Sequence, residues 1–143
     1  MKFNTVFDSS LLEISKINNE AGNLTILENG LNIPFDVKRI YYLYDVPSGS
    51  ARGGHAHIEL EQYIIAASGS YDVILDDGKN KKKFTLNRPN LALHILPGMW
   101  RELDNFSSGS ISMVLASQLY DEKDYIRDYN LSLIHISEPT RPY

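Results

Sequence analysis

The sequence predicts an all-β sandwich or barrel. Three observations carry that expectation: short apolar and β-branched runs recur down the chain, turn signals separate them, and a single segment reads as helix. The first run, Leu24 to Leu27, is closed by Glu28-Asn29-Gly30. Val37 to Tyr44 follows, rich in Val, Ile and Tyr, and stops before Pro47-Ser48-Gly49. Gln62 to Ala67 and Tyr71 to Leu75 flank Ser68-Gly69-Ser70. Asp77-Gly78 then marks a hairpin into Lys83 to Leu86, because Asp and Gly tolerate the positive φ that tight turns demand. Leu91 to Leu96 comes after Asn87-Arg88-Pro89, and Ser110 to Ser117 after Ser107-Ser108-Gly109. The helical segment is Asp121 to Tyr129 (DEKDYIRDY), with acidic residues in its first turn, where a helix dipole favours them.

Residues 1–130 are expected to form one domain, since 143 residues is near the commonest single-domain size. The stretch 131–143 (LSLIHISEPTRPY) lacks periodicity, ends in a Pro-rich piece, and has the look of translated sequencing-adapter read-through. It is expected to be disordered or foreign to the domain, and His135 and Arg141 are assigned no role.

Hydrophobic residues at 43% and charged residues at 22% are ordinary for a soluble globular chain. Lys and Arg number 14 against 18 Asp and Glu, a net charge of −4, which leaves no electrostatic footprint for a nucleic-acid polymer. One or two placed arginines would still suffice for a diphosphate. The absence of cysteine excludes disulfides, zinc ribbons and thiolate catalysis. The N-terminus lacks the apolar core of a signal peptide, and no run approaches the ~20 residues of a membrane span. The expected location is the cytoplasm, with no membrane partner.

Chemistry concentrates in Gly49 to Glu61 (GSARGGHAHIELE). Residues two apart on a strand face the same way, so His55 and His57 project together. Glu61 shares that parity and joins them if the strand runs on unbroken. Gly53 and Gly54 free the backbone just before the pair, where a ligand could approach closely. The spacing resembles the first cupin motif, with Gly69 one residue late. Pro97-Gly98-Met99-Trp100-Arg101-Glu102-Leu103-Asp104-Asn105 resembles the second, with Arg101 where cupins carry a histidine. The fold implied is a cupin jelly-roll barrel (RmlC-like) with one short C-terminal helix. Arginine offers no lone pair to a metal and would repel a dication. Metal binding through His55, His57 and Glu61 therefore becomes the secondary reading.

Flanking blocks extend the likeness: Ile33 to Tyr42 (IPFDVKRIYY), Arg52 to His57, Leu75 to Gly78, Trp100 to Leu103, Leu115 to Ser117 and Tyr120 to Arg127. Together they resemble the WxcM-like sugar 3,4-ketoisomerases over about Gly22 to Asn130. That resemblance implies an isomerase acting on dTDP-4-keto-6-deoxy-glucose for amino-deoxysugar and surface-glycan biosynthesis. It implies no cofactor or metal, and a homodimer with exchanged N-terminal strands.

Moving a ketone from C4 to C3 removes the C3 proton, passes through an enediol(ate) and protonates C4. Groups with pKa values near neutrality suit both transfers, and a donor or cation suits the oxyanion. By resemblance His55 is the base. His57 is placed to shuttle protons or serve as the acid. Tyr42 and Arg52 stabilise the enediolate or hold the diphosphate, while Arg101 and Glu61 bind substrate. Arg101 also points to the gluco product, whereas Ala21 matches neither product branch.

Blander roles stand beside these. Tyr41 and Tyr42 alternate along a strand, and on composition either is a packing residue. Arg101 beside Trp100 could be a cation stacked on an indole. His94 reads as structural, and Lys79 to Lys83 (KNKKK) as a solvated strand edge. A metal-dependent cupin enzyme and a non-catalytic sugar-binding cupin are the competing functions.

Overall fold

A computed structural model describes residues 4–132. Its ten strands are β1 (Ser10–Glu13), β2 (Arg39–Leu43), β3 (Arg52–His57), β4 (Gln62–Ser68), β5 (Tyr71–Asp76), β6 (Lys81–Leu86), β7 (Leu91–Ile95), β8 (Trp100–Asp104), β9 (Ile111–Ala116) and β10 (Tyr125–Ile126). They form two five-stranded sheets, ordered β1-β7-β4-β9-β2 and β10-β3-β8-β5-β6, and every pairing within them is antiparallel. The expected all-β fold is present.

The core lies between the sheets. Ile64, Ala66, Leu93, Ile95 and Val114 of the first meet Tyr71, Val73, Leu75, Leu86 and Leu103 of the second. β4 reads as a continuous apolar run because both of its faces are covered. Ile64 and Ala66 enter this core, while Tyr63 and Ile65 face outward into a second cluster with Ile14, Ile33, Leu27 and Phe35. The residues between β1 and β2 thus seal the outer face of the first sheet.

That covering role explains a departure at Leu24 to Leu27, which forms only an isolated bridge, Ile17 to Leu24, and no strand. Here side chains satisfy the backbone in place of a ladder. Asn32 donates to the Ile26 carbonyl and accepts from Glu28 N, and Asn29 accepts from Val37 N. β1 and β8 are strands the apolar pattern does not announce. β1 has four residues, and β8 (WRELD) carries a buried charge at an inward position.

The Asp77-Gly78 hairpin forms between β5 and β6, with Gly78 at φ +90°. β6 is an edge strand with Lys81, Lys82 and Lys83 exposed, as expected of the lysine run. The helix expected over 121–129 is shorter. A 3-10 turn occupies Glu122–Asp124, capped by Asp121, and residues 129–132 are helical. Between them Tyr125 and Ile126 leave the helical path because β3 offers them a ladder, at Tyr125↔His57 and Ile126↔Ala56. Of the atypical tail, Leu131 is exposed and Ser132 buried, and residues 133–143 lie outside the described residues. No helix among the described residues is long and apolar enough to cross a membrane.

Candidate active site

Between the sheets opens a cavity of about 450 Å³, whose lining includes Tyr41, His55, Gln62, Arg101 and Tyr125. A bulge in β3 shapes one side of its lining. Arg52 pairs with Leu103 and His55 with Arg101, so three steps on β3 oppose two on β8. The extra residue restores Arg52 to the face of His55. Gly53 absorbs the irregularity at φ +86°, where a Cβ would meet Leu103 Cδ1 at 3.1 Å.

His57 is fully buried, with Nδ1 3.1 Å from Asp124 Oδ2. Asp124 also accepts from Glu59 N at 2.8 Å and Leu60 N at 3.3 Å. An acceptor-only carboxylate requires a proton on Nδ1, which leaves Nε2 bare. That Nε2, like Nε2 of His55, is buried without a hydrogen-bond partner. The two rings stand perpendicular with centroids 4.8 Å apart, and Tyr125 packs 4.4 Å from His57 and 5.3 Å from His55.

Burial, reinforced by the Arg101 charge, lowers the pKa of His55 to about 3. The same two causes, in the same order, push His57 down. Both imidazoles are therefore neutral at pH 7, each with one unprotonated ring nitrogen. Burial pushes Asp124 above its ordinary value, against the two backbone amides that favour its carboxylate.

Arg101 is 1% exposed, and burial lowers its pKa to about 10, so its charge persists at neutral pH. Nη1 donates to Gln62 Oε1 at 2.6 Å and Nη2 to the Met99 carbonyl at 3.1 Å. Gln62 Nε2 in turn donates to the Tyr41 hydroxyl at 3.0 Å. Burial raises the Tyr41 pKa, opposed by Arg101. Arg39 lies over the Tyr41 and Tyr120 rings, its Nε and Nη2 buried and unpaired. At the rim Arg127 grips Glu122 at 2.7 and 2.9 Å and covers the Tyr125 ring, while Arg52 is exposed. Among the described residues, Arg39, Arg52, Arg101 and Arg127 all line the cavity, a set suited to a phosphorylated anion.

The sequence-derived candidates divide accordingly. His55, Arg52 and Arg101 line the cavity, while His57 is buried behind His55, its ring centroid 4.8 Å away. Tyr42 is 64% exposed and, although it also lines the cavity, alternates with the more buried Tyr41 along β2. Strand parity gives the inward place to Tyr41. Glu61 does not join the histidines, because β3 ends at His57 and the chain bends before β4. Its Oε1 sits 3.4 Å from His94 Nε2, near Tyr63 and Phe35, a structural place for both residues. The second cupin reading also lacks its donor set: Glu61 is diverted, Asp124 holds His57 Nδ1, and Arg101 stands where a third histidine would coordinate. Among the described residues no three His, Asp or Glu side chains group to hold a metal. Trp100 meets Tyr129 edge-on, on the face of β8 away from Arg101, so no indole stack forms.

Sequence reasoning passed over Arg39, Gln62, Asp124 and Tyr125. Arg39 shares the parity of Tyr41, a usable signal. Asp124 meets His57 across 67 residues and left none.

The family model described as "FdtA: WxcM-like, C-terminal" matches residues 7–135. The chain is 43% identical over 123 residues to the TDP-4-oxo-6-deoxy-alpha-D-glucose-3,4-oxoisomerase of Aneurinibacillus thermoaerophilus, covering 86% of this chain and 88% of that one. The crystal structure of a 3,4-ketoisomerase from Helicobacter canadensis superposes with a TM-score of 0.88 at 48% identity, over 91% of this chain and 98% of that one. QdtA, a sugar 3,4-ketoisomerase from Thermoanaerobacterium thermosaccharolyticum solved with TDP, gives 0.91 at 36% identity, over 96% and 100%.

Proposed function

The chain belongs to the FdtA family of WxcM-like, C-terminal domains, and from that premise we propose that it is an isomerase moving the keto group of dTDP-4-keto-6-deoxy-glucose from C4 to C3. The observation that carries this reading is the buried, unpartnered Nε2 of His55, set in a cavity lined by four arginines, with the equally unpartnered Nε2 of His57 packed behind it. Neutral His55 takes the C3 proton. Electrons flow from the C3–H bond to form the enediolate, whose charge develops on the C4 oxygen. Return of a proton to C4 and loss of the C3 hydroxyl proton complete the carbonyl at C3, with no oxidant or reductant needed.

Arg101 and the Tyr41 hydroxyl face the developing charge; arginines at the rim, Arg52 and Arg127 among them, hold the diphosphate. His57, with its tautomer held by Asp124, accepts or relays protons between the two oxygens. The gluco configuration at C4 is the expected outcome, on the strength of Arg101. We also assign a homodimer with exchanged N-terminal strands. Supporting it are the edge position of β1 and the exposed Ile17, Leu24 and Leu31 beyond it.

The test is incubation with dTDP-4-keto-6-deoxy-glucose, with and without chelator, followed by proton NMR. A carbonyl at C3 in both samples is expected. Conversion lost on chelation would restore a metal-dependent reading. Saturable binding without conversion would make the chain a sugar-binding module.

A further inference from the structure

We propose that Gln62 is a positioning residue that sets the direction of the Tyr41 hydroxyl, so that the phenol donates its hydrogen into the cavity. The argument starts from Arg101, whose guanidinium can only donate hydrogen bonds. Its Nη1 lies 2.6 Å from the Gln62 side chain, so the atom facing it is the amide oxygen. A flipped amide would set two donors against each other. The Met99 carbonyl holds Nη2 at 3.1 Å, and Gln62 itself is 1% exposed, so neither group has another orientation.

The amide nitrogen must then face Tyr41, 3.0 Å away, and donate to the phenol oxygen. With that lone pair engaged, the phenol proton points elsewhere. All three side chains line the same cavity as His55, and the free direction is toward it. A fixed charge thus polarises an amide, which polarises a phenol, each bond strengthening the next. A buried glutamine that merely satisfied Arg101 would leave the phenol free to turn either way.

The inference rests on the ketoisomerase reading for what Tyr41 donates to, the oxygen that becomes negative in the enediolate. The direction of the hydroxyl does not depend on that reading, and its test need not either. In protein labelled with ¹³C at tyrosine Cζ, with the Tyr41 resonance assigned by Tyr41→Phe, the phenol is titrated in wild type and in Gln62→Met. An amide that donates to the phenol oxygen stabilises the phenolate, so removing it raises the Tyr41 pKa. An amide that accepts from the hydroxyl stabilises the phenol, so removing it lowers the pKa. An upward shift is expected; a downward shift or none overturns the proposal, whatever the protein's activity.

Kinetics supply the second arm. In Gln62→Glu the near-isosteric carboxylate keeps Arg101 paired and accepts a hydrogen bond from the Tyr41 hydroxyl, turning it away from the cavity. On the scale of one lost oxyanion donor, kcat falls about 100-fold, with KM little changed. In a Tyr41→Phe background the same substitution has almost no further effect. An equal loss in both backgrounds, or none in either, contradicts the proposal. A wild-type protein that does not turn over the sugar at all defeats the functional reading and leaves the titration to decide Gln62.

Discussion

His55 is kept neutral by two forces of the same sign, loss of water and a nearby guanidinium. A base of this kind stays competent in acid longer than an ordinary histidine. The acid limb of kcat/KM, which reports the free enzyme, is expected well below pH 6.5. A limb at 6.5 would show His55 to be solvated. Stability runs the other way. The unfolded chain protonates His55 near 6.5 and the folded chain only near 3. Stabilisation from the neutral imidazole is complete above 6.5 and is lost as pH falls toward 3. Thermal melts should show Tm falling between pH 7 and 5, and falling less in His55→Asn. In activity, His55→Asn should cost about 10² to 10⁴ in kcat, the range for a general base. Of the site residues, the histidines and Arg101 were legible because their motif is local. Which of Tyr41 and Tyr42 is the more buried was not legible, because parity says that two neighbours face opposite ways without saying which one faces in.

At the scale of elements, β3 decides the site. Its bulge at Gly53 brings Arg52 to the cavity face, and its edge ladder with β10 brings Asp124 to His57. A side chain at Gly53 must take φ +86° and press on Leu103. Gly53→Ala is expected to lose about 1–3 kcal/mol in urea unfolding; a neutral change would mean that β3 straightens at no cost. Asp124→Asn can offer its amide to His57 Nδ1 and reverse the tautomer. It should lower kcat at least tenfold, with KM held; an unchanged kcat would leave Asp124 a purely structural cap. Alternation and turn chemistry made six of the expected strands readable. The strand expected at Leu24 to Leu27 failed because those apolar residues seal a sheet face, and periodicity cannot distinguish covering a sheet from joining one. The 3-10 turn and β10 replaced a longer helix because pairing with β3 outweighed local propensity.

The whole molecule is a sandwich whose first sheet is covered on both faces, the outer one by the connection from β1 to β2. That connection is anchored at one end by β1, paired with β7 through Leu12↔Ala92. If N-terminal strands are exchanged, this same register joins two chains. The chain has no cysteine, so Leu12→Cys with Ala92→Cys offers a clean crosslink. Oxidation should give a covalent dimer on a denaturing gel; a cyclised monomer would show β1 pairing within its own chain. Composition and turn spacing revealed the fold class, but the exposed apolar side chains on which the proposed exchange rests become visible only once the fold is known.

The central claim is proton transfer at a neutral histidine, and solvent exchange tests it most directly. Wild type and His55→Asn are incubated with dTDP-4-keto-6-deoxy-glucose in deuterated water, and the sugar is followed by proton NMR. Wild type should give the 3-keto sugar with deuterium at C4, and His55→Asn should leave C3–H and the C4 carbonyl intact over the same time. Equal rates of conversion and labelling by both proteins would contradict the account.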